Sequence, residues 1–109
     1  MIRAMRRFSL RRRGRPGRLR TADSADLEHL AAFARSRDGV EAFLEPRTTV
    51  TDSTVLLVAA SGEWTRRRVD GAKGAGAFAK RHRLPLYDVQ TVGYPARLRR
   101  WNDERKSEG

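Results

Sequence analysis

The chain has 109 residues, with 24 Lys plus Arg against 13 Asp plus Glu, a formal net charge of +11 and no cysteine. This length suits one small domain and excludes a large enzyme architecture. The lack of cysteine excludes disulfides, thiol nucleophiles, iron–sulfur clusters and cysteine-ligated zinc. Two histidines cannot form a metal site without carboxylates, and the longest apolar run, residues 55–60, is far shorter than the roughly 18 residues that a membrane span requires. We therefore expect no metal, no membrane partner and a cytoplasmic location.

Most of the excess positive charge lies in residues 1–21. Nine arginines and no acidic residue occupy positions 1–20, whereas the other 89 residues hold 15 basic and 13 acidic groups. This charge density, with Gly14 and Pro16 interrupting any helix, predicts a disordered arm, and the arm has no apolar stretch of the length of a secretory signal. Such a charge pattern favours a function in which the arm binds and neutralises nucleic-acid phosphates. The alternative interpretation is that a GC-rich genome enriches arginine throughout, as 21 Arg against 3 Lys indicate, and that the arm has no function.

The remaining sequence predicts one α+β domain over residues 22–101, followed by a flexible end at 102–109. Hydrophobic periodicity and turn residues predict these elements in chain order: helix 24–36, strand 40–45, strand 53–60, strand 63–69, helix 72–82, strand 86–92 and a short basic helix from Pro95. Pro46 places the first strand near a sheet edge, and extended propensity at 48–51 can continue that strand past a bulge. The apolar run at 55–58 is typical of a strand covered on both faces. His29 is expected at the surface.

The third predicted strand carries the clearest binding pattern. Trp64, Arg66 and Arg68 alternate with their neighbours and therefore share one face of the strand. An indole between guanidinium groups can stack a base and hold the phosphates on either side of it. The alternative is that Trp64 packs against the arginine stems and covers the sheet.

The second predicted helix begins after Asp70 and points its cations outward. Its glycines, Gly71, Gly74 and Gly76, have neither the order of a dinucleotide fingerprint nor the ending of a phosphate-binding P-loop. We therefore expect no nucleotide cofactor there.

The order of elements predicts how the sheet is assembled. The helix between strands three and four implies a crossover, so these two strands should be parallel in a sheet that is otherwise an antiparallel meander. Both principal helices are expected on one face of this mixed sheet. The order is similar to that of a double-stranded-RNA-binding domain, in which Lys73 and Lys80 match the phosphate-binding lysines. It also resembles the core of restriction-endonuclease-like nucleases, but Glu63-Trp64-Thr65 has threonine where those enzymes need lysine, which argues against nuclease chemistry.

Residues 27–101 resemble a small family of actinobacterial proteins whose members carry a general oxidoreductase label. The resemblance rests on Arg37-Asp38-Gly39-Val40-Glu41-Ala42-Phe43, Glu45-Pro46-Arg47-Thr48-Thr49-Val50, Gly62-Glu63-Trp64-Thr65-Arg66-Arg67-Arg68 and Gly93-Tyr94-Pro95. The label implies redox chemistry. In a chain without cysteine, such chemistry needs a flavin or nicotinamide site, and the sequence shows neither the phosphate fingerprint nor the ribose-binding acid of such a site.

The function that the sequence favours is a non-catalytic module that binds nucleic acid, either RNA or a ribonucleoprotein, without a cofactor. The alternatives are a protein-interaction or regulatory domain and a small oxidoreductase. The predicted nucleic-acid contacts are Arg11, Arg12, Arg13, Trp64, Arg66, Arg68, Lys73, Lys80, Arg97, Arg99, Arg100 and Trp101.

Overall fold

The computed structural model describes residues 23–48 and 52–108. Its elements are α1 (Ser24–Ser36), β1 (Glu41–Glu45), β2 (Thr54–Val58), β3 (Trp64–Arg68), α2 (Gly71–His82), β4 (Leu86–Asp88), α3 (Val89–Val92) and α4 (Ala96–Glu108). The predicted α+β class is therefore confirmed. Within the described residues, no helix is both long enough and apolar enough to cross a membrane. The predicted arm and most of the 48–51 segment lie outside the described residues.

Local signals account for most of the element bounds. The Asp23 carboxylate accepts a hydrogen bond from the Asp26 amide at 2.9 Å and so caps α1 where the sequence predicts its start. The predicted fourth strand ends early, because the Asp88 carboxylate accepts from the Gln90 amide at 2.8 Å and starts the short helix α3. The short basic helix is longer than predicted, since α4 continues through most of the segment predicted as a flexible end, as far as Glu108. Residues 96–108 contain no glycine or proline to stop a helix.

The sheet has four strands in the order β3-β2-β1-β4. β1, β2 and β3 form the predicted antiparallel meander, and β4 runs parallel to β3 as predicted, although its hydrogen-bonded neighbour is β1 and not β3. The reason is that α1 already covers β3 and part of β2. α2 therefore packs nearer β1, and the strand that follows α2 adds beside β1. β1 is consequently an interior strand, and its predicted edge position is wrong. Pro46 lies just beyond its end.

Two apolar clusters form on opposite faces of the sheet. On one face Leu30 and Phe33 of α1 and Phe78 of α2 pack with inward residues of β1 and β2, as predicted for the two principal helices. On the other face Leu98 of α4 packs against Phe43, Leu56 and Val58. The side chains of Val55, Leu56, Leu57 and Val58 are fully buried, which confirms β2 as a core strand covered on both faces. The C-terminal helix thus occupies the face that was expected to be open.

Candidate functional site

One end of the sheet collects the ends of both principal helices. β1 and β4 are parallel neighbours, and each follows directly after one of these helices. The C-termini of α1 and α2 therefore lie together where β1 and β4 begin. Four exposed cations lie in the last turns of these helices or directly after them, and we call them the basic end: Arg35, Lys80, Arg81 and Arg83.

The cations of the basic end are held without ion pairing. In the described part of the chain, the salt bridges all involve other arginines. The carbonyl ends of α1 and α2 carry partial negative charge, which stabilises nearby cations without neutralising them. The loop between α1 and β1 adds one exposed carboxylate, Asp38. The basic end thus retains most of its positive charge.

His82 reports the electrostatic field at the basic end. Its ring packs against Phe78 with the centroids 4.5 Å apart. Burial lowers the pKa of His82, and the positive charges of Arg81 and Arg35 lower it further. Arg35 belongs to α1 and Arg81 to α2, so charges from the ends of both helices act on His82.

Arg83 is held in an unusual backbone conformation. It follows α2 with φ 57° and ψ 45°, in the left-handed region, and its amide donates to the carbonyls of Ala79 and Lys80. Glycine is the residue usually found at this position, since it alone adopts the conformation without steric cost. Arginine here adds a charge to the basic end at the expense of local stability.

Trp64 does not lie on an open face, so the predicted stacking surface on β3 is wrong in that respect. The indole is half-buried, packs against the Leu98 cluster and donates from Nε1 to Asn102 Oδ1 at 2.9 Å. The Arg66 guanidinium lies 5.2 Å from the Trp64 ring centroid. The accessible part of the Trp64 side chain lines a groove beside α4.

Glu45 anchors Arg66 and the chain segment before α4. Its carboxylate accepts hydrogen bonds from Arg66 Nε at 2.7 Å and Nη2 at 2.8 Å, from Tyr94 OH at 2.6 Å and from Thr54 Oγ1 at 2.7 Å. Burial alone would raise the pKa of Glu45, but the hydrogen bonds from Arg66, Tyr94 and Thr54 outweigh it, so the pKa lies below its ordinary value. The hydrogen bond to Glu45 is the main cause that raises the pKa of Tyr94. We call these four side chains the Glu45 cluster.

An open groove of about 590 Å³ runs between the start of β3 and α4. We call it the Trp64 groove. It combines aromatic and apolar walls with two cations, an amide and a carboxylate, and its lining residues are Trp64, Tyr94, Pro95, Leu98, Arg99, Asn102, Asp103 and Lys106. A volume of this order is typical of small-ligand sites.

The other predicted contacts divide into structural and exposed groups. Arg97 donates to the carbonyls of Ala59 and Val58 and to Glu41 Oε1 at 2.8 Å, so it ties α4 to the sheet. Arg68 is half-buried, and its Nε has no hydrogen-bond partner among the described residues. Trp101 is half-buried under the Arg105 guanidinium, 4.1 Å from the ring centroid.

Seven predicted cations remain, of which four are exposed in different places and three lie outside the described residues. Lys73 is exposed near the start of α2, while Lys80 belongs to the basic end. Arg99 and Arg100 are exposed on α4, where Arg99 lines the Trp64 groove. The other three, Arg11, Arg12 and Arg13, lie outside the described residues.

His29 links α1 to β3. It is half-buried, with Nε2 2.5 Å from Thr65 Oγ1 and Nδ1 3.4 Å from Arg67 Nη2. Because a guanidinium only donates, we assign Nδ1 as the acceptor, and in that tautomer Nε2 donates to Thr65. Both ring nitrogens are thus used in contacts with β3.

The carboxylates of the described residues do not form a metal-binding cluster. Glu63, which occupies the position compared above with a nuclease carboxylate, forms an ion pair with Arg37 at 2.6 Å. Within the described ranges, no three His, Asp or Glu side chains converge as metal ligands would.

Sequence reasoning missed the residues that make these two sites. Arg35, Arg81 and Arg83 resemble ordinary helix-terminal cations, and only the pairing of β1 with β4 brings them together. The sequence shows Tyr94 only as part of the Gly93-Tyr94-Pro95 motif, and its partner Glu45 is 49 positions away. The available signal for the basic end was that each of the two helices ends in cations.

Comparison of the chain with protein-family models, with curated proteins and with solved structures finds no match. Function is therefore inferred from the geometry and charge of these sites.

Proposed function

We propose that this protein is a cytoplasmic nucleic-acid-binding module, directed to RNA or a ribonucleoprotein, that carries out no reaction itself. The observation that carries the proposal is the basic end, where two helices present four exposed cations that form no salt bridge in the described part of the chain. A surface of this kind fits the closely spaced phosphates of a polynucleotide.

The sequence outside the described residues adds to this charge. The nine arginines of positions 1–20 provide further phosphate partners. Each phosphate neutralised by Lys or Arg releases counterions, so affinity should fall steeply with salt. The arm would supply sequence-independent attraction, and the basic end would orient the domain on the polyanion.

The test is RNA affinity by fluorescence anisotropy at about 50 and 200 mM salt, with Arg81→Gln as the test variant and Arg47→Gln as its charge-matched control. Arg47 is exposed beyond the other end of β1, 3.9 Å from Asp52. We expect Arg81→Gln to weaken binding and to reduce the log–log salt slope by about 0.7 to 0.9, and Arg47→Gln to have a smaller effect. Loss of affinity in Arg11→Gln/Arg12→Gln/Arg13→Gln would measure the share of the arm.

Two outcomes would contradict the proposal. One is the absence of measurable RNA binding by the full chain at the lower salt concentration. The other is equal weakening by Arg81→Gln and Arg47→Gln, because the basic end would then have no special part in binding.

A second candidate function is protein recognition, which one observation favours. Tyr87, Val92 and Tyr94 are large apolar residues exposed by 37%, 54% and 48%, on β4, α3 and the turn before α4. Exposed apolar residues mark protein interfaces when they form a patch. Capture of a partner from native extract that survives nuclease treatment and is lost in Val92→Ser would favour this function over RNA binding.

A further inference from the structure

We infer that the Trp64 groove binds an unpaired nucleotide, with its aromatic wall stacking the base and its cations contacting the adjacent phosphates. This inference rests on the proposed nucleic-acid binding and adds to it the form of the ligand. It follows from three features of the groove: the aromatic wall, of which Tyr94 is the exposed part, the polar groups beside that wall, and the position of the groove relative to the basic end.

The aromatic wall is formed by Tyr94 and Trp64. Tyr94 has 48% of its surface exposed although its hydroxyl is fixed on Glu45. Trp64 is fixed by its hydrogen bond to Asn102 and by packing against Leu98. Both rings are therefore held in place before a ligand arrives, which reduces the entropy cost of stacking. Stacking on such rings accepts any base, because every base has a π-face.

The polar groups of the groove match the rest of a nucleotide. Arg99 and Lys106 supply positive charge, and Asp103 leaves the lining with a net charge of +1. Asn102 uses its side-chain oxygen to accept from Trp64, so its amide nitrogen is oriented by that bond and can donate. A purely apolar groove would suit a protein side chain, whereas the combination of aromatic rings, cations and an amide suits a base with its phosphate.

The Trp64 side of the groove lies at the end of the sheet where the basic end lies. Trp64 pairs with Val58, and Val58 pairs with Glu41 at the start of β1, whereas Tyr94 is fixed on Glu45 at the other end of β1. The ion pair between Arg37, just after α1, and Glu63, just before β3, links the Trp64 side to the end of α1. A single strand with one base in the groove can therefore leave it past Trp64 and continue toward the basic end. A duplex cannot place a base in the groove without losing a base pair, since its bases are already stacked and paired.

The test compares Tyr94→Leu with Tyr94→Phe in the full chain. Both variants lose the hydrogen bond to Glu45, but only Tyr94→Leu loses the aromatic ring. Each is titrated with an unstructured RNA of about eight nucleotides, a length within known single-strand site sizes, with its DNA counterpart, and with an abasic oligomer that has the same number of phosphates. We expect Tyr94→Leu to bind the RNA about tenfold more weakly than Tyr94→Phe, and both variants to bind the abasic oligomer equally. The RNA and DNA arms show whether the 2′-hydroxyl contributes.

The outcomes separate this inference from the proposed function. If wild type binds the oligomers with bases and the abasic oligomer equally, and Tyr94→Leu binds all of them like Tyr94→Phe, the groove does not take a base, while phosphate binding at the basic end stands. If wild type binds none of the oligomers, both proposals fail. If a hairpin duplex binds as tightly as the single strand, and Tyr94→Leu weakens both equally, the preference for an unpaired nucleotide is wrong.

Discussion

At the scale of single residues, Glu45 shows how one carboxylate positions several functional groups. It holds Arg66 against Trp64, and it fixes Tyr94 at the mouth of the Trp64 groove. Only 13% of its side chain is exposed, so its charge is stabilised by hydrogen bonds more than by water. Removal of the charge therefore affects both the sheet and the groove.

The Glu45 cluster predicts an acid-dependent loss of stability. Because the pKa of Glu45 is lower in the folded than in the unfolded state, its contribution is present above the ordinary pKa of 4.5 and is lost as pH falls through the folded pKa. Glu45→Gln should lower the free energy of unfolding at neutral pH by about 1 to 3 kcal/mol and should show a smaller further loss in acid. Urea denaturation at several pH values measures both effects. Parallel acid profiles for the two proteins would contradict the assignment.

We expect Arg83 to lower the stability of the domain and to strengthen its binding to RNA. Its left-handed backbone conformation costs a residue with a side chain about 1 kcal/mol that glycine does not pay. Arg83→Gly should therefore unfold at higher urea concentration, with a gain of about 0.5 to 1 kcal/mol, while its RNA affinity falls. Arg83→Ala controls for loss of the charge without the conformational gain. A variant that is stabilised and binds RNA as wild type does would remove Arg83 from the basic end.

At the scale of elements, α4 is held on the sheet by a few specific contacts. Arg97 bonds to the sheet backbone, Leu98 packs on β1 and β2, and Asn102 bonds to Trp64. The helix passes so close to the turn after β2 that a Cβ on Gly62 would lie 2.3 Å from the Arg97 carbonyl oxygen. Position 62 must therefore lack a side chain, and Gly62 also has a positive φ of +98°, which favours glycine.

Substitution at Gly62 should detach α4. We expect Gly62→Ala to destabilise the domain by about 2 kcal/mol or more. The new Cβ would collide with the backbone of Arg97, and alanine would also be strained at the positive φ of this position. Gly76→Ala is the matched control, since a Cβ there meets nothing within 4 Å on helix α2. That variant should gain about 0.5 to 1 kcal/mol from helix propensity. Urea denaturation measures both variants, and similar effects of the two would contradict this account of α4.

At the scale of the whole molecule, charge is distributed unevenly. Five arginines of the described domain are paired with carboxylates, whereas the basic end is not. The arm adds its arginines to a chain whose formal net charge is +11. This distribution favours association with polyanions at low salt.

The two histidines provide an internal measure of where a polyanion binds. Burial lowers the pKa of His82, and the charges of Arg81 and Arg35 lower it further. A phosphate at the basic end should raise the pKa of His82 back toward 6.5, the ordinary value, by offsetting the charge of the arginines. NMR titration with and without RNA measures the shift, and His29, on the β3 side, serves as the control. Equal shifts of the two histidines would indicate binding without preference for the basic end.

Much of the fold was accessible from local patterns in the sequence. The bounds of α1, the core strand β2 and the meander follow from caps, apolar runs and turns, all of which act over a few residues. The same patterns could not place β4, because its neighbour depends on which part of the sheet α1 already covers. They also could not show that α4 occupies the second face, since Trp64 and its partner Asn102 are 38 positions apart.

The sequence alone thus established the α+β class, the two principal helices on one face and the concentration of positive charge. The location of usable charge was settled by long-range packing. Arg66 and Arg97 read as free cations in the sequence, yet each is held by a carboxylate on β1. Arg35 and Arg81 look like routine helix-terminal cations in the sequence, yet the parallel pairing of β1 with β4 puts the ends of both helices at the same end of the sheet. The physical reason is that a charge is neutralised by whatever lies within a few ångströms of it, and chain order does not specify that distance.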